Sequence, residues 1–178
     1  MMKALLVLLV LIGHAAYASE ETVPDYIGKF SNDPSEIRGI EAVIADFKKG
    51  IVNHDGALIN SLLLHDDILW MAAATEPMMT PVEAQGDPNF IKNVFSGGAQ
   101  GFVKFVTESK QDLEERFYNV NITQDNGLAV VVFDYDFRSD GKVTNYGIET
   151  WQMFKIDEKW RIATVTWSTT SVDEKRDQ

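Results

Sequence analysis

The chain contains no cysteine, which excludes disulfides, thiolate metal sites and a cysteine nucleophile. It is also short of positive charge: 16 Lys and Arg stand against 27 Asp and Glu, a formal net charge of −11. That surplus repels phosphate backbones and anionic headgroups, so neither nucleic acid nor a membrane surface is an expected partner. Proline is scarce, at five residues, and with 45% apolar and 24% charged residues the 178-residue chain falls in the ordinary globular range. No Gly-rich phosphate loop and no nucleophile-elbow pattern occurs.

What is present begins with a leader. Met1-Met2-Lys3 is a basic start, Ala4 to Ile12 is an unbroken apolar run, and Ala16-Tyr17-Ala18 places small residues where a signal peptidase reads. The apolar run is interrupted by Gly13-His14 and falls short of the roughly 20 residues that span a bilayer. Residues 1–18 therefore read as a cleaved signal peptide, with no stable membrane anchor and an exported product, periplasmic or secreted. Residues 19–32 read as an N-terminal arm, 33–171 as one folded domain and 172–178 as a charged, solvated tail.

Asp33-Pro34-Ser35-Glu36 combines a capping carboxylate, a proline at the first helical position and a glutamate three residues after the cap. Ile37, Ile40, Ile44, Phe47 and Ile51 then recur at helical steps. Asn53-His54-Asp55-Gly56 breaks that helix, Asp55 can cap a second with Leu58, Ile59, Leu62 and Leu63 on its buried side, and Ile68 to Ala72 is a short apolar strand. Residues 73–86 carry Pro77, Pro81 and Gly86 without a period. This is a long loop, a candidate lid with the adaptable Met78 and Met79 at its centre, or a plain surface insertion. Asp87-Pro88 with Phe90, Ile91, Val94 and Phe95 suggests a third helix, and Phe102, Val103, Phe105 and Val106 a further helical segment. From Leu113 the chain turns to strands, separated by the hairpin signals Asp125-Asn126-Gly127, Asp140-Gly141 and Asp157-Glu158. Along one of them Val131, Phe133, Tyr135 and Phe137 share a face, while Val130, Val132, Asp134 and Asp136 share the other. Helices first and a meander last make an α+β domain.

A capped helix, Asn53-His54-Asp55-Gly56, a short helix ending in His65-Asp66-Asp67, and the late segments Gly147-Ile148-Glu149-Thr150-Trp151 and Lys159-Trp160-Arg161-Ile162 resemble the nuclear transport factor 2-like superfamily, in its SnoaL-like and ketosteroid-isomerase-like branches. The resemblance runs from about Pro34 to Thr170. It implies a cone-shaped domain, with three or four N-terminal helices packed into a strongly curved, mainly antiparallel sheet, an apolar pocket at the wide end and a homodimer formed through the outer sheet face. It also implies where chemistry would sit. The isomerases' tyrosine falls on Phe47 and their proton-moving aspartate on Ala72, so both groups are missing; only the third acid keeps a counterpart, Glu149.

Two functions follow from that pattern. In one, the domain binds a small apolar or polycyclic molecule without a cofactor. Its pocket would be lined by Phe47, Trp70, Ala72, Val131, Phe133, Tyr135, Trp151, Val165 and Trp167, with Glu149 as polar contact. In the other, an isomerase, cyclase or dehydratase uses Glu149 as its catalytic acid or base; a dimerising accessory module without ligand is a third alternative. No metal site is expected. His54 and His65 each stand beside an aspartate at a helix end, which invites a metal or general-base reading, but such imidazoles also suit the helix dipole. Asp136 to Asp140 lacks the spacing of a calcium loop. If the leader is processed as it reads, N-terminal sequencing of the exported protein will start at Ser19, and an intact Met1 would refute export by this route.

Overall fold

Asp33 starts the first helix through its carboxylate, which accepts hydrogen bonds from the backbone N–H groups of Ser35 and Glu36, with Pro34 in the first turn. The helix, α1 (Pro34–Val52), belongs to a computed structural model that describes residues 22–74, 94–95 and 98–172. The reciprocal half of the capping box is not formed. Asp33 N–H instead donates to Gln124 Oε1 at 2.9 Å, while Glu36 accepts from Trp160 Nε1 and Lys155 Nζ, both at 2.9 Å. These bonds tie the start of the helix to the far ends of the sheet.

The inward face of α1 buries Ile40, Val43, Ile44, Phe47 and Ile51. His54, at φ 54°, reverses the chain, and Asp55 caps α2 (Gly56–Leu62) by accepting from Leu58 N–H at 2.9 Å. Gly56 is required by close approach: a Cβ there would lie 2.1 Å from Thr107 Oγ1 and 3.2 Å from the Val103 carbonyl. Those two residues belong to α3 (Ala99–Glu108), which therefore packs tightly on the corner between α1 and α2.

The strands are β1 (Leu69–Ala74), β2 (Val94–Phe95), β3 (Leu113–Asp125), β4 (Leu128–Ser139), β5 (Lys142–Ile156) and β6 (Lys159–Ser171). They form one sheet in the order β2-β1-β6-β5-β4-β3, antiparallel except where β1 runs parallel to β6. Three hairpins close on residues with positive φ, Asn126, Asp140-Gly141 and Asp157-Glu158, as their turn signals predict. The register shifts at Tyr118/Asn121, Phe137/Arg138 and Gln152/Met153, and such irregularities bend long strands. The result is an α+β cone with the helices on the concave side. One sequence expectation is corrected: Val94 and Phe95 are not helical but pair with Ala73 and Ala72 along the open edge of β1. A few apolar residues do not distinguish helix from strand, and an edge with unpaired backbone groups decides the matter. The loop read over 73–86 starts later than expected, since Ala73 and Ala74 belong to β1; Met78, Met79 and the rest of the candidate lid lie outside the described residues, as do the signal peptide and residues 173–178 of the tail.

Inward-facing residues form rows across the strands. Ile122, Val131, Trp151, Val165 and Trp70 stand in register on five strands, and Phe133, Glu149, Trp167 and Ala72 form the next row toward the wide end. On the opposite face Leu128, Val130, Val132, Ile148, Phe154 and Ile156 expose large apolar side chains on the neighbouring strands β4 and β5.

Candidate functional site

The wide end of the cone holds a cavity of about 370 Å³. Phe47 reaches it from α1, Phe102 and Phe105 from α3, Trp70 from β1 and Trp167 from β6; β4 and β5 add Tyr135, Phe137, Asn145 and Glu149, and β3 adds Glu115. Gln111, Ser139, Thr144 and Thr169 complete the lining among the described residues. The aromatic walls pack on one another. Trp70 lies 5.1 Å from Phe102 and 5.8 Å from Trp167, while Phe47 stacks on Phe102 at 5.9 Å and 6°.

Of the ten residues expected to line a pocket, Phe47, Trp70, Tyr135, Glu149 and Trp167 do so. Ala72, Val131, Phe133, Trp151 and Val165 do not; they are buried in the core behind it. Depth is the reason for Val131, Trp151 and Val165, one row below Glu149 and Trp167, while Phe133, in that upper row, is covered by Phe117 stacked on it at 4.0 Å. Phe47, Phe117 and Phe133 pack around Trp151 with centroids 5.0, 5.7 and 5.3 Å away, and together they fill the deeper rows. The open space begins one row nearer the mouth, which is why Phe137, Asn145 and Glu115 belong to it.

Glu149 points inward with 5% of its surface exposed and accepts the Trp151 indole N–H at 2.6 Å. Burial pushes its carboxyl up to about 7, against the opposing effect of that hydrogen bond. The residue that sequence reasoning missed is Glu115. It is equally buried, lines the same cavity, and makes no hydrogen bond or ion pair among the described residues. Burial first, and then the charge of Glu149, hold its carboxyl well above the usual range, with Lys48 opposing. A signal was available: Leu113, Glu115 and Phe117 share one face of β3 by the two-residue period, so an acid sits between two core side chains.

Tyr135 is the third polar group. Its hydroxyl lies 3.1 Å from both Asn145 Oδ1 and the Ser168 carbonyl, and burial raises its ionisation further above neutrality. Ser139 Oγ is buried at the cavity wall without a partner. His54 and His65 lie elsewhere: His54 Nδ1 meets the Val106 carbonyl at 2.8 Å, and His65 Nδ1 accepts Asp67 N–H at 3.2 Å. Chemically the cavity offers two proton-holding carboxyls and the hydroxyl-bearing residues Tyr135, Ser139, Thr144 and Thr169 in an aromatic shell.

No family model matches the chain, and no curated protein matches it. Solved structures do. A nuclear transport factor 2-like protein of unknown function from Shewanella baltica is 12% identical, with 78% of this chain and 97% of that one covered at a TM-score of 0.54. A protein of unknown function from Mycobacterium tuberculosis is 15% identical, covering 82% and 83% at 0.57. A protein assigned as a scytalone dehydratase from Novosphingobium aromaticivorans is 16% identical, covering 77% and 85% at 0.54. The chain has the nuclear transport factor 2-like fold, and likeness at these identities extends to the fold alone.

The two raised carboxyls make stability depend on pH with a definite sign. Between the unfolded value near 4.5 and the folded value near 7, the folded protein keeps a proton on Glu149 that the unfolded chain has released, so stability falls as pH rises. Asp33, Glu36, Glu114, Asp125 and Asp136 are shifted down and act at lower pH. Urea unfolding at pH 5 and pH 8 should show a loss of about 3 kcal/mol for the wild type, the linkage of one carboxyl raised this far. Glu115→Gln/Glu149→Gln should be nearly flat over the same range. Equal slopes in the two proteins would mean the carboxyls are not held protonated.

Proposed function

We propose that this chain is a small-molecule-binding domain whose cavity takes a ring-containing, mainly apolar ligand and fixes it through the buried carboxyls. The observation that carries this reading is the pair Glu115 and Glu149, both 5% exposed and lining an aromatic cavity. An acid buried without a hydrogen-bond partner costs stability, so Glu115, with the unpartnered Ser139 Oγ in the same cavity lining, calls for a ligand group. A volume of about 370 Å³ suits one or two rings, and an apolar shell with a few convergent polar groups is how small-molecule sites are built.

A second reading is favoured by one specific observation. A carboxyl poised at about 7 is matched to proton transfer near neutral pH, so an isomerase, cyclase or dehydratase using Glu149 as acid and base fits the same cavity. The protein assigned as a dehydratase among the structural neighbours supports the plausibility of that chemistry on this fold. Export after Ala18 completes the proposal, and a second copy of the chain is the proposed partner of the apolar face on β4 and β5, where six large side chains stand exposed together.

Native mass spectrometry of the protein purified from its own host tests the ligand reading. A co-purifying compound with one or two rings is expected, and its binding to ligand-free protein should quench tryptophan emission, because Trp70 and Trp167 line the cavity. Glu149→Leu should weaken that binding by about 1–3 kcal/mol, the cost of leaving a buried polar group unpaired. A ligand recovered unchanged after incubation favours binding alone, whereas an altered mass or retention time favours the enzyme. Empty protein that no ring compound quenches would overturn both readings. Separately, light scattering at tens of micromolar, an order-of-magnitude range for moderate interfaces, should report a dimer that Val130→Lys/Ile148→Lys dissociates; a wild-type monomer would refute the interface.

A further inference from the structure

Several hydrogen-bond donors around the cavity are already committed, whereas Ser139 Oγ and the Glu115 carboxyl have no partner among the described residues. The Trp151 N–H is held by Glu149, and the Tyr135 proton is shared between Asn145 Oδ1 and the Ser168 carbonyl. Asn145 Nδ2 donates to Thr144 Oγ1 at 3.1 Å, and Gln111 Nε2 faces Asp140 Oδ2 at 3.3 Å. Against these, Glu115 offers both carboxyl oxygens and Glu149 the one that Trp151 leaves. The charged or titratable groups acting on the pair are Lys48 from α1 and Tyr135 and Asp136 from β4, while α3 and β6 face it with Phe102, Phe105, Trp167 and Thr169. Lys48 acts on Glu115 through its charge without forming an ion pair to it; its ammonium stands 5.7 Å from the ring centroid of Phe117. The cavity therefore presents two inward acids, acceptors only once ionised, in an aromatic shell and in a chain of net charge −11.

We infer that the ligand is an organic ammonium ion, a one- or two-ring amine whose N–H groups meet Glu115 and Glu149 while its rings lie against Trp70, Phe102, Phe137 and Trp167. The inference rests on the reading that the cavity holds a ring-containing small molecule, and narrows it to a cation. An ammonium group carries three donors and no acceptor, the complement of what the carboxyls present. The same charge is attracted to aromatic faces once it leaves water. An anion would meet two acids and, among the described lining residues, no cation. A divalent metal would want six or more oxygen ligands in a shell that is mostly aromatic, and among the described residues no three acidic or imidazole side chains converge on one point.

Binding has a proton balance that a neutral ligand lacks. The amine enters protonated; one carboxyl ionises to pair with it, and the released proton passes to the buffer. The experiment is isothermal titration of ligand-free protein at pH 6 with benzylamine and naphthylmethylamine, in phosphate and in a buffer of high ionisation enthalpy. Each titration is repeated with the corresponding neutral alcohol. The amines should bind about tenfold or more tightly than their alcohols, as charge-assisted bonds exceed neutral ones. They should release close to one proton per ligand and gain affinity as pH rises through 7. In Glu115→Gln/Glu149→Gln, checked for native folding by circular dichroism, the amine preference over the alcohols and the proton release should vanish. Alcohols binding as tightly as amines, with no proton release in the wild type, would overturn the ammonium inference and leave the pocket reading intact. Failure of every amine and every alcohol to bind would count against both.

Discussion

Trp151 is where the packing of the cone and the chemistry of its cavity meet. The indole is fully buried, with Phe47, Phe117 and Phe133 against its faces and edges. An indole N–H cannot be left unpaired at that depth without a cost comparable to a lost hydrogen bond. Its partner is the Glu149 carboxyl at 2.6 Å, two residues back on the same face of β5. The core therefore requires an acceptor at position 149, and the apolar surroundings of that acceptor raise its proton affinity. A carboxyl fixed in this way has one oxygen committed to the core and one turned to the open space.

Glu115 is the opposite case. Nothing among the described residues holds its carboxyl, so its protonation is free to respond to whatever enters the cavity. The two acids thus divide the work by environment: one is oriented by the core and the other is adjustable. The stability given up by burying an unpartnered acid is offset elsewhere, in the apolar face of α1, the aromatic rows of the sheet and the ties from Glu36 to Trp160 and Lys155 that anchor the helix across the cone.

The fold was largely legible because its signals are local. The Asp33-Pro34 cap, the Asn53 to Gly56 break and three positive-φ hairpin turns each specify their own stretch of backbone, and the two-residue period settles which side of a strand faces in. Depth along that inward face is not local. Val131 and Trp151 read as pocket residues from their strand pattern alone, yet they lie behind the space because Phe47 fills the cone up to their row. How far a helix side chain reaches is a tertiary property, and no strand period contains it. Glu115 was overlooked for a related reason. It sits in Glu114-Glu115-Arg116, a charge-rich run that reads as solvated, and only its two apolar same-face neighbours mark it as inward.

Beside Glu149 the pairing of β5 with β6 is interrupted. Cross-strand pairing of β5 with β6 holds at Tyr146–Thr170 and again at Glu149–Trp167, and between them Ile148 N–H turns to Ser168 Oγ at 3.1 Å. Gly147 permits this. A Cβ there would stand 2.0 Å from the Ser168 carbonyl oxygen, a backbone atom that cannot move aside cheaply. The same carbonyl accepts the hydroxyl of Tyr135, which lies opposite Gly147 on β4. One missing methyl group thus lets two strands come together, frees a carbonyl for the tyrosine and uses up the tyrosine's proton. The orientation of the Tyr135 hydroxyl, one polar group of the cavity, therefore depends on the absence of a side chain at Gly147.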